Sequence, residues 1–533
     1  MSATDDQSSQ DAKVLHEMGY SQELRRRMSV FSNFAISFSI ICIIAGGITS
    51  LQTGLSAAGG ASIGLGWPIA CLLSMIVAAS MGQIASAYPT AGGLYHWSSI
   101  LGGRLWGWIT AWVNMLGLVF VVSSVNVGAW ILFANLILPM FGVDPAPYVN
   151  GDGNHWWFAY EWQLGAVILI TLTQAIFNHV GIRVTTMLTD FSGYLIFVVA
   201  TALTIALLVY APSINFSRLW TFTNYTGDAG GGVWPQNGSL WYAFMLGLLL
   251  PAYTVTGFDA SAHTSEETVS AQTSVPRGML HAVFWSALFG WIMICAFVLA
   301  MPDTPDAKTK VVMDGVAAGA AQGGNVFYWL MGGSAMPAVL KNLLYIGIVL
   351  ANYICALSGL TSLSRMIFAF ARDGGFATPS PWLRHVSTSF RTPVNAIWAG
   401  AVLTVLSTLY SSAFATLAAG CAIFLYLSYA MPIAAGLFAE GNSWTKYGPF
   451  QLGFWSKPFA VLTVLFALVL FFVGIQPPNN ALITYSIGLL ALLIVVWFAL
   501  EYTNPFKGPP VTAEAIAKRQ AAIRTEEAAI AKG

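Results

Sequence analysis

The sequence predicts an all-α polytopic membrane protein with twelve transmembrane helices. Charged residues make up 8% of the 533 residues and hydrophobic ones 56%, against roughly 25% and 45–50% in soluble globular proteins. The apolar residues are grouped in runs of about 20, which is the length that spans hydrocarbon as a helix. Two of these runs are interrupted near their centres by glycine and polar residues. The formal net charge is zero, so we expect no binding to nucleic acid.

The twelve predicted spans have a common length and apolar composition. They are Phe31–Ala57, Gly66–Ala87, Leu105–Leu138, Gln163–Asn178, Thr185–Ala211, Leu240–Ala262, Met279–Met301, Ala338–Ala371, Pro393–Leu409, Ala413–Phe438, Pro458–Ile475 and Ala481–Leu500. We divide the chain accordingly into an N-terminal tail (1–29), a first five-helix repeat (30–211), a second five-helix repeat (212–438), helices 11 and 12 (439–502) and a C-terminal tail (503–533).

The distribution of Lys and Arg predicts the orientation. They collect in the short segments on the side of the N-terminus, whereas the opposite side holds few, among them Arg218 and Lys341. Because cytoplasmic loops carry the excess of Lys and Arg, both termini are predicted to be cytoplasmic. The first apolar stretch begins near Val30 without a cleavage pattern, so we expect it to be retained. The expected location is a plasma membrane or a bacterial inner membrane.

The cysteines give no indication of a metal or a cofactor. All five lie in apolar runs, and none has the close CxxC spacing of zinc and redox sites. We expect them to pack as small apolar residues, and we expect no metal and no cofactor.

The first interrupted span reads IIAGGITSLQTG, with Ala45, Gly46 and Gly47 at its centre. The sixth contains TVTGFD, Thr254 to Asp259, and opens the second block of five helices. One broken helix at the start of each block is the pattern of an inverted-repeat transporter whose site lies at the midplane. The alternative for the glycine pair alone is a close-packing face between helices.

Broken helices predict the chemistry of a ligand. A half-helix that starts at a break directs free N–H groups towards a carboxylate. A half-helix that ends there offers free carbonyl groups to an ammonium group or a cation. Together they predict a receptor for a zwitterion, of which an amino acid is the simplest.

Six motifs carry a family resemblance over about Phe31 to Leu500. They are IIAGGITSLQTG, YPTAGGLYHW, GFDASAHTSEET, SVPRG, SRMIFAFARDGGF and TPVNAI. In this order they resemble the amino acid–polyamine–organocation superfamily, and GFDASAH with SEET and ARDGG is similar to its amino acid/choline permease branch. Members of that branch carry GABA, other amino acids, choline or polyamines.

The resemblance implies a LeuT-like 5+5 inverted repeat with broken helices 1 and 6, plus two C-terminal helices. It also implies the substrate-binding residues, with Tyr253 as an aromatic gate: Ala45, Gly46, Gly47, Ile48, Thr49, Tyr253, Thr254, Val255, Thr256, Gly257 and Phe258. Relatives commonly have glycine where this chain has Ala45, and the added methyl group narrows the space beside a ligand carboxylate.

Acidic residues after the second break are candidates for gating or ion coupling. Asp259 is predicted either to cap the second half-helix or to carry a proton. His263, Glu266 and Glu267 are expected at the inner end, where they need not be buried. The two glutamates are predicted to pair with the arginines Arg277, Arg372 and Arg391 and hold an inner gate shut, or to form a solvated helix end.

Three further residues are candidates for ion coupling. Asp190 lies in the fifth span and is either a coupling group or a satisfied vestibule residue. Thr361 and Ser362 are adjacent hydroxyls in the eighth span, where sodium-coupled members of the resembled fold bind the ion. The alternative for both is a hydrogen bond to their own backbone. The loop YPTAGGLYHW, with Gly92 and Gly93, is predicted to re-enter the protein on the inner side.

We therefore predict a secondary active permease that imports an amino acid or a small amine such as GABA by alternating access. A choline or polyamine permease and an amino-acid exchanger of the same fold remain alternatives. We expect a proton or sodium as coupling ion, the lipid bilayer as surroundings and a monomer or weak oligomer. An intramembrane protease is excluded because neither aspartate has the required motif, and a channel would need a filter or charged rings.

Overall fold

The computed structural model describes residues 3–150, 158–305, 312–410, 414–503, 505–510 and 514–520, together with residues 523 and 527. The described chain is almost entirely helical. A two-residue antiparallel pair, β1 Thr304–Pro305 with β2 Val312–Met313, accompanies the helices.

The helices of the first part of the chain are α1 Ala3–Glu17, α2 Val30–Ile41, α3 Ile43–Thr49, α4 Leu51–Ala58, α5 Trp67–Ala87, α6 Gly93–Gly102, α7 Arg104–Leu132, α8 Ala146–Asn150, α9 Phe158–Val180 and α10 Ile182–Val209. Those of the second part are α11 Leu240–Gly247, α12 Leu249–Thr254, α13 Ala260–His263, α14 Ala271–Ala300, α15 Gly315–Ala320, α16 Val326–Gly333, α17 Ala338–Arg372, α18 Ser380–Leu383, α19 Val394–Tyr410, α20 Phe414–Ala439, α21 Ser456–Gly474 and α22 Ala481–Thr503.

Ten helical segments of the described residues are long and apolar enough to cross a membrane. Two shorter apolar helices, Leu240–Thr254 and Val394–Leu409, correspond to the predicted sixth and ninth spans. The prediction of a polytopic helical membrane protein is confirmed, although length alone identifies ten spans rather than twelve. The predicted tenth span begins at Ala413, and residues 411–413 lie outside the described part of the chain.

The outer surfaces of the long helices are apolar. Leu169, Val198, Leu468 and Val495 are each more than half exposed, although all four belong to apolar helices. In the core, the long helix α7 packs along α17 and α20, while α14 packs along α2 and α5. Exposed apolar faces around a packed helical core are what contact with lipid requires.

The predicted seventh span starts too late. Helix α14 already begins at Ala271, so that Pro276 and Arg277 lie inside it rather than in a loop. Proline has no N–H group and leaves the carbonyl group four residues earlier without its helical partner. Here that carbonyl group belongs to Gln272 and accepts a hydrogen bond from Ser86 Oγ at 2.8 Å, which explains how the helix tolerates Pro276.

Both ends of the chain lie on the same side of the helical bundle. Glu527 Oε1 is 2.8 Å from His16 Nε2 and accepts a hydrogen bond from the Gln22 N–H at 2.9 Å. Arg104 Nη2 donates to Glu501 Oε2 at 2.9 Å on this side. We call this side, which also carries residues 88–93 and 264–268, the terminal face, and the opposite side the far face.

Candidate functional site

The first span is interrupted at Cys42, just before the glycines that predicted the break. Cys42 has φ 29° and ψ 78°, and it separates α2 from α3. Gly46 lies within α3, where its N–H donates to the Cys42 carbonyl at 3.0 Å and its carbonyl accepts from the Ser50 N–H at 3.0 Å. The predicted break at Ala45 to Gly47 is therefore wrong in position. The free N–H groups at the start of α3 belong to its first residues, Ile43 to Ala45.

Gly46 and Gly47 allow other chain segments to approach α3 closely. A Cβ on Gly46 would lie 2.9 Å from Thr254 Cγ2, and one on Gly47 would lie 3.1 Å from Ile294 Cδ1. The close-packing alternative therefore describes both glycines. Gly46 also faces the central cavity described below, so packing and a ligand site coincide at this residue.

The second interruption lies where the sequence predicts it. Helix α12 ends at Thr254, and α13 begins at Ala260. Gly257 has φ +86°, and a Cβ there would lie 2.1 Å from Ile40 Cγ2, so only glycine fits. Tyr426 Oη donates to the Val255 carbonyl at 2.7 Å, and Tyr429 Oη accepts the Gly257 N–H at 3.0 Å. Two tyrosines of α20 thus satisfy backbone groups that the break leaves free.

A small cavity lies between the two broken helices. Three of its lining residues, Gly46, Tyr253 and Thr256, belong to the predicted substrate site, whereas the others are not predicted: Ile40, Ile41, Val121, Val125, Cys355 and Cys421. The remaining predicted site residues are not among those that line it: Ala45, Gly47, Ile48, Thr49, Thr254, Val255, Gly257 and Phe258.

Tyr253 lies between this central cavity and a second cavity next to it, because it lines both. The second cavity is also lined by Gln52, Trp234 and Phe414. Tyr253 Oη donates to Ser124 Oγ at 3.1 Å, and the tyrosine ring packs edge-on against Phe414 at 5.8 Å. The gating role of Tyr253 stays a prediction. Phe258 instead packs against Tyr429, with ring centroids 4.8 Å apart.

Asp259 lies at the start of α13, but its carboxylate does not cap the helix. Oδ1 accepts a hydrogen bond from Tyr429 Oη at 2.9 Å, and Oδ2 accepts one from Asn114 Nδ2 at 3.1 Å. His263 Nε2 lies 3.2 Å from Oδ2. The predicted capping role is wrong because the side chain turns towards α7 and α20 rather than to the N–H groups of its own helix.

His263, Glu266 and Glu267 are fully buried, which contradicts the expectation of a solvated helix end. Glu266 accepts two hydrogen bonds from Arg372, at 2.9 and 3.0 Å. Glu267 accepts two from Arg365, both at 3.0 Å. We call these two ion pairs the terminal gate. Arg372 is a predicted partner, whereas Arg365, in the middle of an apolar run, is not.

The other two predicted partners have different surroundings. Arg277 lies in α14 and forms no ion pair with either glutamate in the described part of the chain. Arg391 donates instead to the carbonyl groups of Gln22 and Glu23, at 3.1 and 2.9 Å. The N-terminal segment therefore lies between Arg391 and the gate.

The N-terminal segment covers the terminal gate. Gln22 Nε2 donates to the Glu266 carbonyl at 2.9 Å, and the N–H groups of Arg27 and Met28 both donate to the Glu267 carbonyl at 2.8 Å. Tyr20 Oη donates to Asp373 Oδ2 at 2.8 Å. Burial raises the pKa of Asp373, and the neighbouring Arg372 opposes that rise. The terminal face is thus closed over the central cavity.

The loop of residues 88–93 contacts the gate from another direction. The Ala91 N–H donates to Glu266 Oε1 at 2.9 Å, while the Ala91 carbonyl lies 3.2 Å from His263 Nδ1. Gly93 has φ +45°, a conformation that glycine adopts without strain. The loop returns into the protein beside α13, in accord with the predicted re-entrant course.

The remaining ion-coupling candidates do not line the central cavity. Asp190 is half-buried and accepts a hydrogen bond from Ser32 Oγ at 3.0 Å. Thr361 Oγ1 donates to Asn178 Oδ1 at 2.7 Å, and Ser362 Oγ contacts the Ser358 carbonyl at 3.4 Å. The alternative of hydrogen bonds within the helix therefore describes both residues, since Thr361 Oγ1 also contacts the Leu357 carbonyl at 3.0 Å. Thr361 in addition joins α17 to α9 through Asn178.

Residues 28–500 match the protein family described as amino acid permease. The chain belongs to this family. Its relatives include amino-acid permease BAT1 of Arabidopsis thaliana, 35% identical over 93% of this chain and 95% of the relative. The BAT1 homolog of Oryza sativa subsp. japonica is 34% identical over 93% and 94%, and amino-acid permease 2 of Neurospora crassa is 28% identical over 93% and 90%.

Membership confirms the predicted superfamily and identifies the permease as a membrane transporter rather than an enzyme. Of the site residues that sequence reasoning missed in the permease, Arg365 lies within the motif SRMIFAFARDGGF and the other three lie outside the motifs. They are polar or charged residues in apolar helices: Asn114, Arg365, Tyr426 and Tyr429. The spacing of Tyr426 and Tyr429 by three residues in one helix is a sequence signal that could have indicated a common polar face.

Proposed function

We propose that the permease is a secondary active transporter that imports an amino acid, or a related small amine such as GABA, by alternating access. The observation that carries this proposal is a small closed cavity between two interrupted helices, with Tyr253 on one side and the terminal gate on the other. A site that is closed on one side by buried ion pairs is what a two-state gate requires.

The cavity lining supports a compact zwitterion. None of the described residues that line it carries a carboxylate, and Tyr253 is its single aromatic residue. A polyamine would need carboxylates, and choline would need an aromatic cage. A substrate carboxylate would point towards the start of α3, beside the lining residue Gly46, and its ammonium group towards the ends of α2 and α12, where Ile41 and Tyr253 line the cavity. The names of the relatives also support an amino acid.

In this proposal the two five-helix blocks, 30–211 and 212–438, are inverted halves that rock around the cavity. Of the predicted site residues, those that line the cavity are the proposed substrate contacts, and the others are proposed to fix the shape of the two breaks. The terminal face is the cytoplasmic face of a plasma or bacterial inner membrane, as the Lys and Arg distribution predicts. An ion gradient drives accumulation, and a monomer suffices because the site lies within one chain.

Uptake into liposomes by purified protein tests the proposal. The panel consists of labelled amino acids, GABA, choline and putrescine, with an imposed proton or sodium gradient. Gly46→Leu should abolish uptake, because a Cβ at Gly46 already lies 2.9 Å from Thr254. Gly165→Leu is the matched control, since nothing lies within 4 Å of a Cβ there. Choline uptake alone, or uptake unaffected by Gly46→Leu, would contradict the proposal.

A further inference from the structure

The hydrogen bonds of His263 determine how many protons it shares with Asp259. His263 Nδ1 lies 3.2 Å from the Ala91 carbonyl oxygen. A carbonyl group can only accept, so Nδ1 carries a hydrogen. Nε2 lies 3.2 Å from Asp259 Oδ2, and two lone pairs would repel each other at this distance. The contact therefore holds one proton between Nε2 and Oδ2, beyond the one on Nδ1.

The other groups of the described chain that contact Asp259 use hydrogens of their own and do not account for the proton between Nε2 and Oδ2. Tyr429 Oη accepts the Gly257 N–H and uses its own hydrogen towards Asp259 Oδ1. Asn114 Nδ2 donates to Oδ2. Both Asp259 and His263 are fully buried. If the proton were lost, the pair would hold a buried, unmatched negative charge, which is far more costly than a neutral pair.

We propose that His263 and Asp259 form the proton-binding site that couples substrate import to a proton gradient. This inference rests on the proposed transport function and names its coupling ion. In the closed form both side chains are buried, and this is energetically favourable only when the shared proton is present. When the terminal face opens, the Nε2–H bond of the imidazolium breaks, the electron pair stays on nitrogen, and the proton passes to water.

A continuous chain of contacts joins this pair to the substrate cavity on one side. Thr256 lines the cavity, and its Oγ1 lies 3.4 Å from Tyr429 Oη, which donates to Asp259. Asn114 also donates to Asp259, and its own buried Oδ1 has no hydrogen-bond partner in the described part of the chain. A change at the cavity can therefore reach the carboxylate through one tyrosine.

On the other side, the pair contacts the terminal gate through a single residue. The carbonyl group of Ala91 faces His263, and the N–H of the same residue donates to Glu266, which binds Arg372. Movement of the loop 88–93 away from α13 would thus release both the gate glutamate and the imidazole. Opening of the gate and access of water to the proton are one event.

The other titratable groups around the pair are already engaged or neutral. Tyr429 and Cys421 of α20 face Asp259. Arg365 and Arg372 belong to α17, which packs against α13, and each is bound by a glutamate. Burial raises the pKa of Tyr95 and, with Arg372, lowers that of His96 to about 3, so neither titrates near neutral pH.

The test uses sodium-free liposomes that contain the full chain and an internal pH-sensitive dye. Counterflow of labelled substrate, which needs no ion gradient, first establishes the substrate that wild type carries. Substrate addition should then acidify the interior, and an inward proton gradient should drive accumulation. His263→Gln and Asp259→Asn should retain counterflow but lose both acidification and gradient-driven accumulation. His96→Gln, a change at another buried histidine, should keep all three.

Three results would overturn the inference. The first is undiminished acidification by His263→Gln, which would show that the pair is only structural. The second is wild-type counterflow without any accumulation driven by the inward proton gradient. The third is a lack of wild-type counterflow with every substrate, which defeats the proposed transport function itself and is distinguishable from the other two.

Discussion

Replacing Glu267 by glutamine tests whether the terminal gate holds this face of the protein closed. The Glu267 carboxylate accepts two hydrogen bonds of 3.0 Å from Arg365, and both side chains are fully buried. Glutamine has the same size but no charge, so the buried guanidinium group of Arg365 loses its counter-ion. Removal of one partner from a buried ion pair typically costs about 3–5 kcal/mol.

In the proposed transport cycle this cost falls on the closed form, because opening of the gate would separate Glu267, which follows α13, from Arg365 in α17. Since about 1.4 kcal/mol changes an equilibrium constant tenfold, the ratio of open to closed protein should rise by at least about 100-fold. Backbone amide hydrogen exchange reports such an equilibrium directly. Exchange of residues 262–269 in detergent-solubilised Glu267→Gln should rise by a similar factor over wild type.

Two further variants make this result specific. Glu501→Gln removes a pair with Arg104 on the same face, whose side chains are 28% and 51% exposed. Because such surface pairs contribute at most about 1 kcal/mol, exchange at residues 262–269 should hardly change. The double variant Glu267→Gln with Arg365→Gln should recover part of the protection, since no charge is left unpaired. Unchanged exchange in Glu267→Gln, or an equal rise in Glu501→Gln, would refute the reasoning.

Three other predictions concern stability and the aromatic gate. Burial and Arg372 lower the pKa of His96 to about 3, so its contribution to stability is present above about pH 6.5 and is lost as the pH falls towards 3. Thermal unfolding in detergent should show that the free energy of unfolding falls by about 2 kcal/mol between about pH 6.5 and about pH 5. His96→Gln should lack this pH-dependent loss, and an identical pH profile in the variant would contradict the prediction. Gly257→Ala should abolish uptake and lower the unfolding temperature, because the added Cβ would lie 2.1 Å from Ile40 Cγ2. In the control Gly103→Ala the residue also has a positive φ, +88°, but the Cβ meets open space, so only the backbone cost of about 1–2 kcal/mol remains. Equal losses of stability in the two variants would refute the steric argument. Tyr253→Phe should keep the uptake rate within about fivefold of wild type, because it loses one hydrogen bond to Ser124, which contributes about 1 kcal/mol. Tyr253→Ala, which removes the ring, should reduce the uptake rate much further. Similar uptake rates in both variants would contradict a gating role for the ring.

Sequence reasoning located the second break better than the first for a physical reason. At Gly257 the backbone needs a positive φ and close approach to Ile40, and both demands leave glycine as a visible mark. At the first break the residue with the positive φ is Cys42, which is not a glycine, so the sequence does not indicate a turn there. Gly46 and Gly47 are conspicuous because α3 approaches its neighbours closely, so they indicated the region but not the turn.

The terminal gate shows a similar division. The cluster of Glu266 and Glu267 after the break predicts ion pairs, and Arg372 is a correct partner. Sequence alone could not show that Arg365 is the other, because it lies inside the apolar run of α17, whereas Arg372 lies at the end of that helix. It also could not show burial, since the covering residues, 20–28, come from the N-terminal tail.

The sequence by itself determined that this is a polytopic helical transporter of the amino acid permease family, because apolar run length, glycine at the second break and the family motifs are local properties. Only the tertiary structure decided which side chains meet. Asn114 belongs to α7, Tyr429 to α20 and His263 to α13, and their shared hydrogen bonds arise because the second break turns the side chain of Asp259 towards α7 and α20. Buried polar groups must find partners wherever packing places them, and packing depends on the whole chain at once.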